Sequence, residues 1–132
     1  MIQNILLFVF LSLLLVQGVQ AFIPVTGKLK DTTDAWFSDK AGTEETYGPI
    51  SDWDVSGVTD FSSVFAHRYT FNEDLSKWVT SSATTTKQMF QHAYAFNGDL
   101  SNFDTSKVTY MSHMFLMPLR LTGICQTLIR LK

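Results

Sequence analysis

The chain has 132 residues and a formal charge of −2 from 10 basic and 12 acidic side chains, which leaves room for one small domain. So small a charge, with no basic patch, excludes nucleic acid or a strongly anionic surface as the expected partner. The single Cys125 excludes an internal disulfide and no asparagine begins an N-x-S/T sequon, so stability rests on packing and hydrogen bonds.

Met1 to Ala21 carries no charged side chain, and Ile5 to Val16 is an apolar run broken only by Ser12. The run has the length of a signal h-region, short of the ~20 residues that cross a bilayer. Val19-Gln20-Ala21 fits a small-residue cleavage site, so residues 1–21 read as a secretory signal cut after Ala21, with an uncleaved anchor helix as the alternative. The expected location is secreted or cell surface, with no transmembrane span after cleavage. Phe22 behind the cleavage site leaves secondary-plastid targeting as an alternative, opposed by Asp31, Asp34, Asp39, Glu44 and Glu45 with no arginine before Arg68.

Residues 22–49 read as an N-terminal capping segment, and residues 50–115 as two and a half copies of a 25-residue repeat. In rows of 25 from Ile50, Leu75 and Leu100 the columns align without a gap. Trp53, Trp78 and Phe103 share a column, as do Phe65, Phe90 and Phe115, then Phe71 with Phe96, and Leu75 with Leu100. Large apolar residues at fixed spacing predict stacked coils with a continuous core. Polar columns such as Ser56/Ser81/Ser106 and Thr59/Thr84/Thr109 predict corners where side chains satisfy the backbone. Within each coil the spacing predicts a short strand near Leu75 to Thr80 and its equivalents. A short helix should follow, capped by Thr59, with Phe61, Val64 and Phe65 on one face. Val79 in the Asp54/Asp104 column, and Thr86 in the Phe61/Met111 column, predict a looser second coil.

The pattern W-D-x-S-x-V-T-x-[FM]-S-x-[VM]-F followed by A-x-x-F-N-x-D-L-S resembles the repeat of BspA-like leucine-rich-repeat surface proteins, a mycoplasma-lipoprotein-type repeat. The resemblance covers Ile50 to Phe115, about half the chain, and extends loosely to Ala35-Trp36-Phe37 and Tyr47-Gly48-Pro49. It implies a right-handed leucine-rich-repeat-like solenoid, with short parallel strands and short helices, incomplete at the C-terminus. It further implies surface adhesion or protein binding, and no catalytic residues.

The pattern stops after Phe115. Residues 117–132 hold three basic and no acidic side chains, against seven and twelve in residues 22–116, and only Leu121 keeps its column. Residues 116–132 therefore read as a divergent tail. A broken reading frame is the favoured account, beside a genuine cap, with Leu121, Ile124, Leu128 and Leu131 as an apolar stripe, and ordinary divergence.

Two constellations carry candidate chemistry. His67 and His92 share a column and would stand about 4.8 Å apart on paired coils, but His113 lies in another column and no ligand spacing completes a zinc site. Asp74 and Asp99, beside Asn72 and Asn97, could hold calcium, though turn capping is the simpler role. No nucleophile with its base, Gly-rich phosphate loop or paired acids appears, so no catalytic residue, metal or cofactor is expected. The reading is a non-catalytic secreted or cell-surface scaffold that binds an extracellular protein or surface polymer. The alternatives are a non-functional truncated fragment of a longer surface solenoid and, less favoured, a metal-dependent enzyme using the His and Asp columns.

Overall fold

A computed structural model describes residues 29–116; residues 1–21, read above as a secretory signal, and the tail from residue 117 onward lie outside the described residues. Helix α1 (Leu29–Ser38) buries Leu29, Thr32, Thr33 and Trp36, the i, i+3, i+4, i+7 spacing of one helical face. Two threonines among those four positions hide that face from an apolar count. Helix α2 (Lys40–Tyr47) starts where the Asp39 carboxylate accepts from the Gly42 N–H, satisfying a first-turn donor. It ends at Gly48, whose φ of 73° suits glycine and whose N–H returns to the Glu44 carbonyl. Trp36 Nε1 donates to Glu44 Oε1 at 2.9 Å and ties the two helices together. A single 3-10 turn, Ile50–Asp52, leads into the repeats.

The strand-based leucine-rich-repeat-like architecture expected from the repeat is overturned: among the described residues there is no strand and no sheet. Two isolated parallel bridges, Asp60 with Thr85 and Thr85 with Tyr110, are all that remains of one. Near Leu75 to Thr80 the Trp78 N–H closes a turn on the Leu75 carbonyl at 3.0 Å, and the Asp74 carboxylate accepts from the Ser76 N–H at 2.9 Å. Both bonds bend a segment that a strand would need straight. The helix expected after Thr59 is absent as well. Ser63 at φ 58° and His67 at φ 61° leave the right-handed helical region, and their N–H groups point to the next coil instead of back along their own.

What the repeat builds instead is a set of turns hydrogen-bonded coil to coil. Phe61, Ser63, Phe65 and His67 donate to the carbonyls of Thr85, Lys87, Met89 and Gln91, and Thr86, Gln88, Phe90 and His92 donate in turn to Tyr110, Ser112, Met114 and Leu116. Each of these bonds runs from residue i to residue i+24. The intervening peptides close i to i+3 turns, such as Val64 on Phe61 and Met89 on Thr86. The left-handed residues recur in register, Ser63, Gln88 and His113 in one column and His67 with His92 in another. A non-glycine residue in this region costs roughly 1–2 kcal/mol, and the inter-coil bonds donated by Ser63, His67, Gln88 and His92 offset it.

The core lies inside these coils. Trp53, Trp78, Phe65, Phe90, Phe71, Phe96, Leu75 and Leu100 are buried, Phe103 is 6% exposed, and Phe115 is half-buried against them. Phe65, Phe90 and Phe115 stack at 5.3 and 5.5 Å, and Phe71 stacks on Phe96 at 5.8 Å. Helix α1 closes one end of the stack: Trp36 and Phe37 meet Phe71 edge-on, and Thr33 Oγ1 donates to the Val64 carbonyl at 3.3 Å.

Thr86 is buried, and its hydroxyl has no partner among the described residues. Replacing it with a group of like shape removes an unsatisfied donor and acceptor. Thr86→Val is expected to stabilise the protein by about 1 kcal/mol in denaturant unfolding; a loss of stability would show that the hydroxyl is in fact bonded. At Gln88, where φ is 57°, Gln88→Gly should stay within about 1 kcal/mol of the parent while Gln88→Val costs at least about 1–2 kcal/mol more. Equal melting temperatures for the two variants would contradict the left-handed assignment.

Candidate binding face

The left-handed corners His67 and His92, and the second residue after each, Tyr69 and Tyr94, line one flank of the stack, exposed in the first coil and half-buried in the second. There the rings form a two-rung ladder. The His67 and His92 imidazoles stack at 4.9 Å with 27° between planes, and Tyr69 and Tyr94 stack at 5.4 Å with 16°. Each histidine meets its own tyrosine edge-on, at 6.3 Å in the first coil and 5.7 Å in the second. His92 Nδ1 and the Tyr94 hydroxyl lie 3.0 Å apart. Tyr69 is 54% exposed, and a large exposed aromatic with an organised polar rim is a common anchor for a partner.

Backbone bonds hold the rungs in place. The His67 N–H donates to the Gln91 carbonyl at 2.7 Å, the His92 N–H to that of Leu116 at 2.9 Å, and the Ala95 N–H to that of Tyr69 at 3.0 Å. Arg68, between the first histidine and tyrosine, turns inward; its guanidinium sits 4.2 Å over the Phe37 ring and bonds Asp34 on α1 at 2.6 Å. The arginine thus ties the first rung to helix α1. Burial pushes the Asp34 carboxyl up, but hydrogen bonds and charge from Lys30 and Arg68 outweigh it and hold the carboxyl below its ordinary value.

The candidate metal sites resolve into other roles. His67 and His92 come together as a stacked pair, His113 stands in the column of Ser63 and Gln88, and no group of three or more His, Cys, Asp or Glu side chains gathers among the described residues. The carboxylates of Asp74 and Asp99 accept the N–H of Ser76 and Ser101, two residues on, at 2.9 and 2.8 Å. Asp54, Asp60 and Asp104 do the same for Ser56, Ser62 and Ser106. Backbone and hydroxyl donation from Ser76 lowers the Asp74 carboxyl, and hydroxyl and backbone donation from Ser106 lowers that of Asp104. Asn72 Oδ1 accepts the Asn97 N–H of the next coil at 2.7 Å, so this column pins one turn to another. The aromatic column Trp53, Trp78 and Phe103 is core and offers no face for stacking a sugar; the Trp78 indole donates inward to the Ile50 carbonyl at 2.8 Å.

Sequence reasoning missed the stacking of Tyr69 on Tyr94, although the recurring H-x-Y triplets at 67–69 and 92–94 were a usable signal. A family profile described as "Mycoplasma protein of unknown function, DUF285" matches residues 32–123. No curated protein and no solved structure matches the chain. Among the described residues no helix is long and apolar enough to cross a membrane.

The Asp34 contacts predict a pH dependence. Its carboxyl is lowered from the ordinary 3.8, so its stabilisation is complete above that value and is lost as pH falls through the folded one. Melting temperatures compared between about pH 6 and about pH 2.5 should therefore drop further for the parent than for Asp34→Asn. An identical drop in both would remove Asp34 as the acid-sensitive link between α1 and the ladder.

Proposed function

The chain belongs to the DUF285 family of proteins of unknown function, and from that premise we propose that it is a non-catalytic repeat scaffold, secreted or held at the cell surface, that binds an extracellular protein or surface polymer. The observation that carries the reading is the stacked ladder of His67, His92, Tyr69 and Tyr94, exposed in its first rung and half-buried in its second. Both rungs repeat, as scaffold contacts do, whereas a catalytic cluster is expected to break the repeat at one place. The carboxylates that might serve chemistry are engaged in turns. The resemblance of Ile50 to Phe115 to BspA-like surface repeats supports the same reading, and the apolar leader ending at Ala21 supports export.

The test is to express the full chain in a secreting host, confirm that the mature protein starts at Phe22, and measure its binding to intact cells of its source. The double variant Tyr69→Ser, Tyr94→Ser is expected to weaken binding at least about tenfold while leaving stability within about 0.5 kcal/mol per site. Unchanged binding by the variant would sink the ladder as the contact surface, and retention of the uncleaved chain inside the cell would sink the proposed location.

A further inference from the structure

The chain has four tyrosines, and two of them meet face to face. Tyr69 and Tyr94 stack at 5.4 Å with 16° between planes, on backbones pinned together by the Ala95 N–H, which donates to the Tyr69 carbonyl at 3.0 Å. Among the described residues, Tyr94 is the tyrosine with an imidazole at its hydroxyl: His92 Nδ1 stands 3.0 Å from it. With the ring proton on Nε2, Nδ1 accepts from the phenol, and imidazole is the side chain suited to taking up a proton near neutral pH. Tyr69 is 54% exposed, so an oxidant can reach its ring, and an exposed ring changes rotamer within nanoseconds. The other two tyrosines lack this setting. Tyr47 meets the Trp53 ring edge-on at 6.0 Å, and Tyr110, 69% exposed, has no aromatic ring against it among the described residues. A stacked pair of phenols, one with a base at its hydroxyl and the other open to solvent, is set up for one-electron oxidation and coupling.

We propose that Tyr69 and Tyr94 are an oxidative cross-linking site, joined by a carbon–carbon bond between ring positions ortho to their hydroxyls when the protein meets hydrogen peroxide and a haem peroxidase. Tyr94 gives an electron to the oxidised peroxidase and its hydroxyl proton to His92 Nδ1, which passes that proton to water. Tyr69 gives its electron to the peroxidase and its proton directly to water. The two phenoxyl radicals pair their odd electrons in the new bond. The hydrogen on each joined carbon is then exchanged for one on the oxygen of the same ring, which restores both phenols. Two electrons and two protons leave the pair, and they reduce one peroxide to two waters. The product is a covalent staple between the first and second coils. It closes the chain between residues 69 and 94 and constrains the unfolded state as a disulfide of that span does, in a chain whose single cysteine cannot form one internally. The reaction needs no partner at the ladder, so it is independent of the contact proposed above.

The test treats the full chain with hydrogen peroxide and a haem peroxidase, weighs the intact product and maps its peptides. The expected product is a single chain lighter by two hydrogen atoms, with Tyr69 joined to Tyr94 and a melting temperature above that of the untreated protein. Tyr110→Phe should cross-link as the parent does. Glycine accepts the φ of 57° at residue 92, so His92→Gly keeps the corner and removes the base, with circular dichroism confirming the fold. In that variant cross-linking is expected to slow at least about tenfold and to recover when free imidazole is added. Chains joined to one another through Tyr69 or Tyr110, with Tyr94 untouched, would overturn the proposal. Cross-linking of His92→Gly at the parent's rate, or a slowing that imidazole does not reverse, would remove His92 as the proton acceptor and overturn the mechanism with it.

Discussion

The structure depends on one row of parallel hydrogen bonds, in which alternate peptides of each coil give an N–H to the coil that follows and take one from the coil before. Alternate peptides can point the same way only if the residues between them do not continue a helix or lie flat as a strand. The left-handed residues at Ser63, His67, Gln88 and His92 meet that requirement. Their backbone cost is local, and its compensation comes from a neighbour 24 residues on. No single coil can therefore hold its shape alone, which is the physical content of a repeat that needs its neighbours.

The apolar columns follow the same logic. Because the backbones are held in register, Phe65, Phe90 and Phe115 lie nearly parallel, and Phe71 and Phe96 form a second stack against them, at 4.1 Å in the first coil and 4.2 Å in the second. The inner end of these stacks needs a cover that is apolar towards the rings and able to donate to a carbonyl. Helix α1 provides both, with Trp36 and Phe37 on the rings and Thr33 on Val64.

The ladder on the flank is a by-product of the same register put to a different use. The left-handed corner and the second residue past it lie on the flank of the stack, so whatever ring stands there is repeated at coil spacing. Here it is histidine and tyrosine, stacked on themselves and crossed edge-on with each other. The acidic columns are instead drawn into turns, which leaves the aromatic flank as the organised surface feature.

The 25-residue register, the membership of each apolar column, the turn-capping carboxylates and the spacing of His67 and His92 were legible in the sequence, because side-chain type alone reports burial and corners. The backbone between the columns was not. Phe61, Val64 and Phe65 fit a helical face, yet the chain there is a run of turns, since Ser63 and His67 exchange the helical bond to their own segment for one to the next coil. Neither serine, glutamine nor histidine announces a left-handed conformation as glycine does. Helix α1 was likewise concealed by Thr32 and Thr33, whose burial makes sense only against Val64 and its neighbours. The sequence by itself determined which residues stack and at what period. Only the tertiary structure decided which way the peptides point, because that direction is set by an acceptor on another coil and leaves no mark on the residue that donates.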